Sequence, residues 1–70
     1  MMPLILAPVG EENIIKRVGG APAVKKHLED LGFAPGATVT VISEIAGNVI
    51  INVKETRVAI NKELASKIFI

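Results

Sequence analysis

Along the chain the apolar residues switch between helical and alternating spacing, and each switch marks an element. Between residues 22 and 31, Val24, Leu28 and Leu31 fall at i, i+4 and i+7, while Lys25, Lys26, Glu29 and Asp30 take the other side. That spacing predicts an amphipathic helix with one apolar stripe facing a core. Pro22 opens it, because a proline in the first turn sacrifices no hydrogen bond and its φ is already helical. Gly32 closes it after Leu31: a left-handed residue there caps the last carbonyls, and Phe33 folds back onto the stripe. Ala34-Pro35-Gly36-Ala37 then reads as a type II turn, with proline pre-set at the second position and glycine supplying φ > 0 at the third. A strand must follow.

From Thr38 to Ser43 the pattern alternates, with Val39 and Val41 on one face. Ile45-Ala46-Gly47-Asn48 contains the glycine-polar pair of a tight hairpin, and Val49 to Lys54 returns with Val49, Ile51 and Val53 sharing a face. Glu55-Thr56 lacks glycine, which predicts a longer or bulged turn before a strand from Arg57 to Ile60. Asn61 is a good N-cap for one helical turn over 62–65, Glu63 stands four residues before Lys67, and Ile68 to Ile70 forms a last short strand. Upstream, Leu4-Ile5-Leu6 lies between Pro3 and Pro8 and suits an edge segment or hook. The first full strand spans Asn13 to Val18. Ile14 and Ile15 cannot both point inward in it, so one is exposed or a bulge intervenes. The fold class expected is mostly β: a small, partly open barrel of about five strands, one short helix between the first two, and a terminal helical turn.

Seventy residues are read as one domain, 1–70, which buries only roughly 60% of the surface its unfolded chain exposes. Half of the residues are apolar and isoleucine and valine together supply eighteen, which favours strands and leaves aliphatic surface exposed for a partner or a homo-oligomer. The absence of cysteine rules out disulfides and thiolate metal sites, and fits a cytoplasmic location. A net charge of +1 with interleaved signs, and no Trp or Tyr, argues against nucleic acid. The apolar stretch Met1 to Val9 is too short to span a membrane and lacks the basic flank of a signal peptide.

Catalytic equipment is sparse. His27 is the one imidazole, and neither Ser43 nor Ser66 has a neighbour that suggests an activated nucleophile, so no enzyme is expected. Gly19-Gly20 belongs to neither phosphate-loop pattern. His27 and Asp30 stand three apart on the helix, a spacing from which both reach one metal, but adjacent lysines oppose a cation. The same helix places lysines early and Glu29-Asp30 late, against its dipole, with Lys25–Glu29 and Lys26–Asp30 expected to compensate in part as i,i+4 pairs. Charges arranged this way suit display to a partner.

The run Leu28-Glu29-Asp30-Leu31-Gly32-Phe33-Ala34-Pro35-Gly36, followed by Val39-Thr40-Val41, resembles the signature of the FeoA family. Gly10-Glu11, Gly47, Val58-Ala59-Ile60, Ala65 and Ile68 also fall where that family places them. A similar pattern recurs in the C-terminal domain of iron-dependent repressors, which carry further portions that this chain lacks. The resemblance implies an SH3-like barrel in which Leu28, Leu31, Gly32, Pro35 and Gly36 are architectural. It also implies a cytoplasmic accessory protein of bacterial ferrous iron uptake, acting with the GTP-dependent membrane transporter FeoB. His27 replaces a usual Lys or Arg, Asn61 a common Arg, and Val49 a frequent proline.

The functional expectation is a noncatalytic docking protein with no cofactor of its own. Lys26, His27 and Asp30 on the helix form the first candidate contact face, and Ile45, Ala46, Gly47 and Asn48 the second. The alternative is a regulatory domain acting on a soluble partner, in which ferrous iron binds weakly through His27 and Asp30. A PxxP-binding module shares the barrel but requires an aromatic groove that this composition does not supply.

Overall fold

The computed structural model describes all seventy residues, 1–70. In chain order a 3-10 turn, Leu4–Leu6, precedes β1 (Glu12–Ile14), β2 (Arg17–Val18), α1 (Pro22–Asp30), β3 (Thr38–Ile45), β4 (Asn48–Val53), β5 (Thr56–Asn61), α2 (Lys62–Ala65) and β6 (Ile68–Phe69). The strands form a four-stranded sheet ordered β1-β3-β4-β5 and a two-stranded sheet of β2 and β6, every pairing antiparallel. The fold is mostly β, with fifteen buried apolar residues in one core cluster.

α1 begins at Pro22 and ends on a Schellman cap. The Gly32 N–H donates to the Glu29 carbonyl at 2.9 Å and the Phe33 N–H to the Leu28 carbonyl at 2.9 Å, with Gly32 at φ +107. Phe33 and Leu28 are fully buried, and Val24 and Leu31 pack against the core's margin. The Pro35-Gly36 turn closes with the Ala37 N–H on the Ala34 carbonyl at 3.0 Å, which starts β3. Val39 and Val41 of β3, and Val49, Ile51 and Val53 of β4, all face the core, as the alternation requires. β3 runs on to Ile45, and its register shifts between Val41 and Ser43, which leaves Ile42 as the extra residue of a bulge.

Six strands replace the expected five because the first is broken in two. The Ile15 N–H donates to the Ala37 carbonyl at 2.9 Å, and the next N–H, of Lys16, donates to the Phe69 carbonyl at 2.8 Å. Neighbouring residues thus hand the chain from one sheet to the other, with Ile15 buried and Ile14 exposed. The N-terminus closes the other side of β6: Met2 and Ile70 exchange both backbone hydrogen bonds, and Pro3 bridges to Phe69. Leu4 enters the core from the 3-10 turn, which is the hook of the two forms, edge segment or hook, expected for this stretch.

A second correction concerns the β4–β5 turn. Val53 pairs directly with Thr56, so only Lys54 and Glu55 turn the chain, at φ +50 and +64. Both positions of this type I′ turn favour Asn or Gly, and an L side chain there costs about 1 kcal/mol. Six cross-strand pairs between β4 and β5 fix the register and outweigh that cost. The Ala46-Gly47 hairpin has the same left-handed pair but holds glycine at its second position. Glu55→Gly gives the second hairpin the same relief; the expected result is a gain of roughly 0.5 kcal/mol and a Tm about 3 °C higher by thermal unfolding.

Candidate functional face

The structure places the two candidate faces at opposite ends of the barrel. Lys26, His27 and Asp30 are all exposed on α1, with Lys26 and Asp30 one turn apart and His27 beside them. The C-terminal end of this helix lies over the β4–β5 turn: a Cβ on Gly32 would stand 3.6 Å from Lys54 Cδ and 3.6 Å from Val53 Cγ2. The loop Ile45 to Asn48 lies where β4 begins. Asn48 and Val53 are the first and last residues of the six-residue β4, so roughly 17 Å of strand lies between the two ends. One compact ligand does not bridge them.

The helix face is charged and unpaired. The expected Lys25–Glu29 and Lys26–Asp30 bridges do not close, and neither does Glu63–Lys67; the one ion pair joins Lys62 to Glu44, across from the hairpin. A lysine placed N-terminal to its acid at i,i+4 is the weaker order, and full solvation competes well with it. His27 and Asp30 find no third donor, since nowhere does the fold gather three His, Cys, Asp or Glu side chains into a metal-holding group. A two-donor exposed pair does not fit a ferrous ion, which needs more protein ligands to compete with water. Nor does a pocket open on the surface to enclose a small ligand.

The hairpin end is built differently. Ile45, the last residue of β3, is 61% exposed, next to the backward-wound Ala46 and Gly47. The Lys62 N–H donates to the Gly47 carbonyl at 3.2 Å, and the Asn61 side chain caps α2 by accepting from the Leu64 N–H at 2.8 Å. α2 in turn packs against the 3-10 turn. The Gly10 N–H donates to the Val41 carbonyl at 2.8 Å, which holds the segment before β1 beside the far half of β3. Leu6 and Val9, both largely exposed, are therefore at the same end as Ile45. Sequence reading missed both residues. The available signal was Leu4-Ile5-Leu6 itself, three apolar residues in a turn that has room to bury only one.

Pro35 and Gly36 sit exposed on their turn, while Leu28, Leu31 and Gly32 hold the helix cap against the core. These five positions position the faces and contribute no reactive group. No helix is long and apolar enough to cross a membrane.

Comparison with known proteins agrees with this architecture. The FeoA domain family matches residues 2–70. The proposed Fe(2+) transport protein A of Methanocaldococcus jannaschii is 36% identical over 70 residues, covering 100% of this chain and 85% of that protein. A crystal structure of an iron uptake regulatory protein, FeoA, superposes with a TM-score of 0.87 at 31% identity, covering 96% of this chain and 91% of the other. The zinc complex of Stenotrophomonas maltophilia FeoA, described as a prokaryotic SH3 domain protein, shares the fold with a TM-score of 0.84 at 21% identity, covering 99% of this chain and 88% of that one. The barrel is SH3-like, and with its helix cap, its turns and nearly its whole length matched, the chain belongs to the FeoA family.

Proposed function

We propose that this chain is a noncatalytic, cytoplasmic accessory protein of ferrous iron uptake that docks on a FeoB-type membrane GTPase transporter and modulates it. The observation that supports this most strongly is the family match over residues 2–70, joined to a relative assigned to Fe(2+) transport at 36% identity. The S. maltophilia relative is described as a candidate activating factor of ferrous iron transport, which agrees with a modulating role. The surface suits docking: exposed apolar residues at one end and unpaired charges on the helix, with no pocket for a substrate.

The two faces divide the work by their chemistry. Apolar Ile45 beside the Ala46-Gly47-Asn48 turn supplies area that is desolvated on contact, whereas Lys26, His27 and Asp30 supply charges that orient the approach. Reversing the helix charges with Lys26→Glu and Asp30→Lys together tests the second part. Both side chains are exposed, so Tm stays within about 1 °C of the parent's while association with the detergent-solubilised transporter slows about tenfold at low salt. Unchanged association kinetics in a surface-binding assay remove the helix face from the docking scheme.

A further inference from the structure

β5 is an outer strand of the four-stranded sheet, and one of its sides faces away from β4. The two-residue turn at Lys54-Glu55 makes Val53 and Thr56 a mutually hydrogen-bonded pair, so Thr56, Val58 and Ile60 point their N–H and C=O groups at β4. The backbone groups of Arg57 and Ala59 point the other way, and no turn, loop or side chain hydrogen bond reaches them. Both residues are exposed. The other outer strand, β1, is three residues long and guarded by Glu11 and Glu12, the usual protection of an edge. β5 is six residues long, contains no proline or bulge, and turns no charge inward.

We infer that the β5 edge is a self-pairing surface, and that a second copy of this chain adds to it antiparallel about a two-fold axis at Ala59. The argument for this occupant is the register. Centring on Ala59 sets Ala59 opposite its own copy and Arg57 opposite Asn61 on the outer face, and Val58 opposite Ile60 on the core-facing side. Small meets small, apolar meets apolar, and no like charges oppose one another. The two Ala59 residues exchange two hydrogen bonds, and the Asn61 N–H of each copy donates to the Arg57 carbonyl of the other. Half-buried Val58 is covered, and the two four-stranded sheets become one. Such an interface is isologous and closes at two chains.

The test uses the full chain. Analytical ultracentrifugation from roughly 10 μM to 1 mM, the range suited to a small interface, should show the 7.4 kDa chain moving toward twice its mass. Ala59→Lys and Ala59→Glu, each with an unchanged circular dichroism spectrum, should each weaken the dimer about 5-fold, and mixing the two should restore it. The chain has no cysteine, so Ala59→Cys carries a single thiol whose partner Cα would lie about 5.5 Å away, within disulfide range. It should cross-link in an oxidised glutathione buffer in which Ile14→Cys, on the guarded outer strand, does not. A mass that stays at one chain up to 1 mM overturns the inference, as does an Ala59→Lys dimer as tight as the parent's. So does the case in which the Arg57 and Ala59 amides resist hydrogen exchange only after solubilised membranes are added, because an extended segment of another protein would then hold the edge.

Discussion

Phe33→Ala should remove most of the stability of this protein. Phe33 is fully buried and is one of only two aromatic side chains in the chain. Truncating a buried phenylalanine to alanine costs about 3 to 5 kcal/mol, through lost transfer free energy and the cavity left behind. A domain of this length has a total unfolding free energy of only roughly 3.5 to 10 kcal/mol. The position has a second role, because the Phe33 N–H closes the Schellman cap on the Leu28 carbonyl and the ring holds that cap against the core. Losing the ring frees the end of α1 and the Pro35-Gly36 turn that aims β3. In urea titration the midpoint should fall by more than half, whereas Phe33→Leu, which keeps most of the volume, should lose less than about 1.5 kcal/mol. Equal midpoints for Phe33→Ala and the parent would show that the cap, and not the ring, fixes this corner.

Ile45→Asp should act on binding and leave folding alone. The side chain is 61% exposed, so its replacement removes little buried area and opens no cavity. At a docking interface the same change puts a carboxylate into a surface that must lose its water, and central apolar anchors of this kind are worth about 2 kcal/mol or more. Affinity for the solubilised transporter should fall about 30-fold or more, with Tm within about 2 °C of the parent's. The loss should exceed that from the helix charge reversal, because rim charges govern approach more than residence. Full affinity in Ile45→Asp would place the contact away from the hairpin end.

Local chemistry made much of the fold readable in advance. The Pro22 start, the Gly32 cap, the Pro35-Gly36 turn, the alternation of β3 and β4 and the Asn61 cap each depend on residues within a turn of one another. The features that escaped depend on distant partners. Ile15 and Lys16 belong to different sheets because one meets Ala37 and the other Phe69, far apart in sequence. The Lys54-Glu55 turn contradicts its own residue preferences because β4 and β5 impose their register on it. Lys62 finds Glu44 across the hairpin, while the helical partners that spacing suggested stay apart.

The candidate site shows the same division. Exposure of Lys26, His27 and Asp30 followed from the helical period, and exposure of the Ile45 to Asn48 turn followed from its hairpin chemistry. Their separation by the length of β4 did not, since spacing along a chain carries no information about which end of a barrel a loop occupies. Leu6 and Val9 join the hairpin end only through α2 and the Gly10 hydrogen bond to Val41, contacts that no periodicity encodes.

Docking on a membrane GTPase is the central claim, and a pull-down tests it directly. The immobilised chain and its Ile45→Asp variant are offered the same detergent-solubilised membranes from the source cells, and the retained proteins are identified by mass spectrometry. The docking account predicts a polytopic GTPase held by the parent and lost from the variant. Reproducible capture of soluble proteins alone, with ferrous iron and guanine nucleotide present, would contradict it.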